Sequence, residues 1–137
     1  MTIRGARVMA QLSKSRPFTE KERELLEFML SVDFPGRDEL KTQAGCAEVD
    51  WECDCGCGTF TVELKESCAR AASYEPIPVE AYREGLDVLL FVREGYLSSL
   101  EIVDYLDVRP LTFPSPKELK LWVPPPQRVA GRATKKD

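Results

Sequence analysis

The stretch LDVLLFVREGYLSSLEIVDY, residues 86–105, constrains the fold more than any other part of the chain. Two runs of aliphatic, aromatic and β-branched residues flank Glu94-Gly95, the pattern of a β-hairpin with a tight turn. Both faces of the first arm are largely apolar, as expected of a strand in the middle of a sheet. With a two-residue loop, Leu89, Phe91, Ser98, Leu100 and Ile102 share one face, and Ser99 and Glu101 lie opposite. A three-residue loop with a bulge exchanges those assignments.

Such a sheet needs a cover, and the N-terminal third supplies a candidate. In PFTEKERELLEFMLS, residues 17–31, Thr19 is a natural N-cap and Glu22, three residues on, completes a capping box. Glu20 and Glu22 suit the positive end of the helix dipole. Leu25, Leu26, Met29 and Leu30 recur at helical spacing and form an apolar stripe for the sheet to meet. Pro35 and Gly36 break the pattern, and RDELKTQAG predicts a short second helix closed by Gly45.

From Ala47 the period changes to two. Ala47, Val49, Trp51 and Cys53 are expected on one face of a half-buried strand, with Glu48, Asp50, Glu52 and Asp54 on the other. The turn-rich CGCG at 55–58 and the renewed alternation of TFTVELK make residues 46–65 a predicted hairpin. Residues 66–76 read as a loop, and IPVEAY as a short edge strand, because Pro78 is hard to place in a central one. KELKLW, after Pro110, Pro114 and Pro116, suits one helical turn or a last short strand. Helices first and strands afterwards predict an α+β domain over residues 1–123, two N-terminal helices packed on an antiparallel sheet of four to five strands. Residues 124–137 are expected to be a mobile basic tail.

Length supports one domain, since 137 residues bury an ordinary core and leave little for a second. No apolar run approaches the roughly 20 residues of a membrane helix, and the apolar segment near the N-terminus is too short for a signal-peptide core. Five cysteines, an odd number without an export signal, then point to free thiols in the cytosol. The net charge of −4 hides a segregation: residues 1–18 carry +4, residues 19–107 carry −13 and residues 108–137 carry +5. An acidic body repels nucleic acid and attracts a basic partner.

Enzymatic signatures are missing. Without histidine there is no Ser-His or Cys-His catalysis, and phosphate-binding glycine loops and HExxH are absent. The cysteines Cys46, Cys53, Cys55, Cys57 and Cys68 offer enough thiolates for zinc, with Cys53, Cys55, Cys57 and Cys68 the candidate set. Their spacing resists it: residues two apart on a strand sit about 6.6 Å apart, whereas the sulfurs of a tetrahedral site lie within about 4 Å of one another. Only a chain bent at Gly56 and Gly58 would bring them together. Burial as small apolar side chains is the expected role, zinc ligation the alternative. Redox chemistry is disfavoured by the neighbouring acids, which oppose a thiolate.

The blocks FTEKERELLEFMLSVDFPGRDELKTQ, CDCGCGTFTVEL and VLLFVREGYLSSLEIVDY, in this order over residues 16–106, resemble a group of small bacterial proteins of unknown function. The segment Gly95 to Tyr105, with Leu97, Leu100 and Glu101, is also similar to strands of immunity proteins that neutralise bacterial toxins. The first resemblance implies no activity, cofactor or catalytic residue. Combined with the charge map, the second implies a non-enzymatic cytoplasmic protein that occludes a basic, nuclease-type toxin. Glu48, Asp50, Glu52, Asp54 and Glu101 are its expected partner-binding residues, with Trp122 a candidate aromatic anchor. The alternative is a zinc-stabilised structural or regulatory domain.

Overall fold

The computed structural model describes residues 15–106 and 112–125. The first helix, α1 (Glu20–Met29), starts where its capping box says it should. The Thr19 hydroxyl accepts from the Glu22 N–H at 3.1 Å, and the Glu22 carboxylate accepts from the Thr19 N–H at 2.9 Å. Helix α2 (Arg37–Ala44) follows the Pro35-Gly36 turn and ends at Gly45, which keeps a right-handed φ of −69°. Gly45 closes the helix without the left-handed cap that glycine usually provides there.

Six strands follow among the described residues, all antiparallel: β1 (Ala47–Glu52), β2 (Phe60–Leu64), β3 (Glu80–Arg83), β4 (Leu86–Arg93), β5 (Tyr96–Asp104) and β6 (Lys120–Trp122). Their order across the sheet is β1-β2-β5-β4-β3-β6. The class is α+β as expected, but the sheet has six strands instead of four to five. KELKLW supplies both of the structures it was compatible with, a 3₁₀ turn at Pro116–Glu118 and then β6. Because β6 pairs with β3, β3 is an interior strand and not the expected edge. Pro78 is tolerated because it precedes the ladder. Alongside β4 the chain at 76–79 offers carbonyls only, Pro76 O to the Val92 N–H at 2.9 Å and Val79 O to the Leu90 N–H at 3.3 Å.

The β4–β5 hairpin combines a two-residue loop with a bulge. Its loop is the two-residue Glu94-Gly95, with φ of 55° and 87°, which Gly95 adopts without strain. The register nevertheless shifts between Phe91 and Val92, so Phe91 faces Ser99 and Ser98 is the extra residue. Leu86, Val88, Leu90, Leu100 and Ile102 therefore share the buried face, while Leu89 pairs with Glu101 on the other. The expected grouping of Leu89 and Phe91 with Leu100 and Ile102 is overturned by that bulge.

A second bulge lies between Val49 and Trp51 of β1. Beyond it, Glu52 is the partner of buried Phe60, and Trp51, expected inside, is 54% exposed. Buried residues of α1 and α2, among them Leu25, Leu26, Met29 and Leu40, form one apolar cluster with Phe60, Leu90, Leu100 and other strand residues. Residues 126–137, most of the expected basic tail, lie outside the described residues.

Candidate metal centre

Strand β1 ends at Glu52, one residue before the first cysteine of CDCGC. The objection from extended spacing therefore lapses, because the three cysteines occupy the turn and not the strand. The Cys53 N–H donates to Thr59 O at 2.9 Å and closes that turn, while Gly56 and Gly58 take φ of 89° and 93°. Gly58 is the position whose φ favours glycine most plainly; an added Cβ would meet Ile102 Cδ1 at 2.9 Å, the end of a side chain that has to shift.

The bend brings the Sγ atoms of Cys53, Cys55 and Cys57 within 4.8 Å of one another, the single such cluster of metal-ligating groups among the described residues. Cys53 Sγ donates to Cys55 Sγ at 2.9 Å. Cys57 is buried, Cys53 half-buried and Cys55 exposed. Burial pushes the Cys57 thiol up, but hydrogen bonds from the Thr59 side chain and backbone and from Cys55 and Cys53 outweigh it and bring Cys57 down to about 7. Cys53, through its hydrogen bond to Cys55 first, is pushed up to about 11. One sulfur is thus prepared as a thiolate and a neighbour donates to it.

Beside the turn lies a groove of about 590 Å³ bordered by Arg16, Glu22, Glu52, Cys53, Gly58 and Phe113. Arg16 exchanges both backbone hydrogen bonds with Val49, at 2.9 and 2.8 Å, and its guanidinium grips both Glu22 oxygens at 2.9 Å. The same guanidinium binds Glu52, its Nε at 3.0 Å. Burial raises the Glu22 carboxyl, yet the Arg16 and Thr19 hydrogen bonds prevail and hold it below its ordinary value. Sequence reasoning gave Glu22 its cap and missed Arg16, whose partners lie 6 and 36 residues away.

The expected acidic row does not form as one face. Glu48 accepts from the Ser15 hydroxyl at 2.7 Å, Asp50 sits at the bulge and accepts from the Thr61 hydroxyl, and Glu52 turns to Arg16. Asp54 is exposed in the cysteine turn, and Glu101 lies half-buried on β5 opposite Leu89. Cys68 is not part of the sulfur cluster: its Sγ lies 2.6 Å from that of Cys46. Trp122, the candidate anchor, is 49% exposed on β6. No helix among the described residues is long and apolar enough to cross a membrane. Comparison with protein-family models, with curated proteins and with solved structures finds no match for this chain.

Proposed function

We propose that the protein is a non-enzymatic domain of the cytosol whose Cys53–Cys57 turn holds a thiophilic ion of the zinc class. The convergence of three sulfurs within 4.8 Å carries this reading. Zinc–sulfur bonds of about 2.3 Å need sulfurs just under 4 Å apart, a spacing close to that of the three sulfurs in a turn closed at Cys53 and Thr59. Three protein sulfurs leave a fourth position for solvent or for a ligand from a partner. The ion would clasp the tip of the β1–β2 hairpin, a structural or regulatory role.

Protein purified without chelator is expected to carry about one zinc per chain. Cys55→Ser and Cys57→Ser should each lose it, and Cys68→Ser should keep it. A metal content near zero in the parent protein, or a loss on Cys68→Ser equal to that on Cys57→Ser, would refute the site. Affinity should fall with pH, because binding displaces the proton that Cys53 holds up to about 11. The fall should steepen below about 7, where Cys57 also takes up a proton.

A second reading, recognition of a basic partner such as a toxin domain, is favoured by the sheet face opposite Phe60. In this reading the two helices cover the Phe60, Leu90 and Leu100 side and leave the other to the partner. Cross-strand rows there run Glu101–Leu89–Glu80–Trp122 and Val103–Asp87–Tyr82–Lys120. Exposed Trp122 and Tyr82 beside Glu80, Asp87 and Glu101 suit guanidinium groups, which pair with carboxylates and stack on rings. Burial, and then the neighbouring Asp87, lift the Glu80 carboxyl, a like-charge strain that an incoming cation relieves. The natural probe is a basic protein encoded beside this chain. Its affinity should drop about tenfold or more when Glu80 and Glu101 are both changed to lysine, and an unchanged Kd would remove this face from the account.

A further inference from the structure

Two cysteines remain outside the sulfur cluster, and the fold holds them together. Cys46 sits between the end of α2 and β1, and Cys68 lies 22 residues on, in the loop after β2. Their approach follows from one buried side chain. Gln43, fully buried on α2, donates to Ala69 O at 2.9 Å and to Gly95 O at 3.0 Å, and accepts from the Leu97 N–H at 2.9 Å. The Ala71 N–H also donates to Gly95 O at 2.9 Å. The loop is thereby fixed to α2 one residue beyond Cys68, while Cys46 follows Gln43 by three residues, its N–H donating to Gln43 O at 3.0 Å. From the other side, the Lys65 N–H donates to Cys46 O at 2.8 Å. Both residues are half-buried, and Cys46 borders a groove of about 270 Å³ that Arg23, Glu48, Lys65 and Glu66 also line.

We propose that Cys46 and Cys68 are a redox pair that closes to a disulfide when a low-molecular-weight disulfide such as oxidised glutathione is abundant. Cys46, as thiolate, attacks one glutathione sulfur. A mixed disulfide forms and the first glutathione leaves as a thiolate that takes up the proton lost from Cys46. Cys68 then gives up its proton and attacks the Cys46 sulfur, and the second glutathione leaves and receives that proton. Two protein thiols are oxidised, one glutathione disulfide is reduced to two thiols, and no net proton is released. Cys68, pushed up to about 11 chiefly by its hydrogen bond to Cys46, is the sulfur that stays protonated and resolves the intermediate. The covalent loop ties the start of β1 to the segment after β2, and so brackets the hairpin that carries the Cys53–Cys57 turn. The proposal stands independently of metal at that turn. A reversible bond of this kind suits a reducing compartment, where protein disulfides are mostly transient and redox-sensing.

The test uses the full chain equilibrated in glutathione buffers from reducing to oxidising, with and without added zinc, then alkylated and cleaved with trypsin. Cleavage at Lys41, Lys65 and Arg70 separates Cys68, in residues 66–70, from the other four cysteines, in residues 42–65. The expected product is one linked pair of these peptides, absent from Cys46→Ser and from Cys68→Ser, each of which should instead retain a glutathione adduct on its remaining partner. The oxidised parent should melt on the order of 10 °C above the reduced one, a shift that dithiothreitol reverses. A linked pair that persists in Cys46→Ser, or its absence from the parent under oxidising buffer while other cysteines pair, would overturn the assignment.

Discussion

Replacing Gln43 by leucine is expected to destabilise the protein by about 3 kcal/mol, although leucine is nearly the same size and more apolar. The reason is what Gln43 leaves behind. Its amide joins α2 to the 66–71 loop and to the β4–β5 turn through Ala69 O, Gly95 O and the Leu97 N–H. Gly95 O keeps a donor in the Ala71 N–H, but the buried Leu97 N–H has no acceptor once the side-chain carbonyl is removed. Each buried group left without a partner costs about 1–3 kcal/mol, more than a leucine gains at a site already full. Urea titration measures the loss, and a change below about 1 kcal/mol would mean that the amide is not the clasp. Gln43→Glu sharpens the result. A carboxylate still accepts from Leu97 but faces two carbonyl oxygens, so burial raises its folded-state pKa above the unfolded value of about 4.3. A raised folded pKa means stability present at low pH and lost as pH rises, so the glutamate variant should be closer to the parent at pH 4 than at pH 7.

That clasp shows where the sequence was legible. Thr19 and Glu22 announce the start of α1 because a capping box is local, and both of its hydrogen bonds form. Glu94-Gly95 announces its turn for the same reason. What was not legible depends on residues far apart in the chain. A bulge is one extra residue whose position is set by what the partner strand must bury, so the shifts at Ser98 and Asp50 left no mark in the alternation, and each moved side chains to the opposite face. The acidic row was misread for this reason. Glu52, two residues beyond the bulged Asp50, faces Arg16 36 residues earlier. The cysteine turn was legible in composition but not in geometry: Gly56 and Gly58 mark a bend, and where the strand stops decides whether three sulfurs converge or alternate. A lone glutamine in an otherwise ordinary helix carries no signal at all. Its role follows from a loop that begins about twenty residues later.

Phe60→Ala should have the largest effect of any single change, about 4 kcal/mol, and should not spread it evenly. Phe60 is fully buried and packs on the Phe18 ring at 5.8 Å. Its strand also joins the hairpin to the rest of the sheet by a short seam, since β2 meets β5 only at Phe60–Leu100 and Thr61–Ser99. Where that ladder would continue, the Ile102 N–H donates instead to the Thr59 hydroxyl at 2.8 Å. Removing the ring empties the centre of the seam, and the β1–β2 hairpin should open at lower free energy than the long β4–β5 ladder, which is paired along its length. Hydrogen exchange separates the two. The amides of Glu48 and Glu63, paired across the hairpin, should lose far more protection than those of Leu89 and Glu101, paired across β4–β5, and Phe60→Leu, which leaves a smaller cavity, should lose less. Zinc acts at the same hairpin. If the Cys53–Cys57 turn clasps its tip, saturating metal should restore much of the lost protection in Phe60→Ala and none in Phe60→Ala with Cys57→Ser, because a ligand stabilises only the state that binds it. Equal loss of protection across all six strands would show instead that the sheet opens as one unit and that the hairpin has no separate stability for the metal to supply.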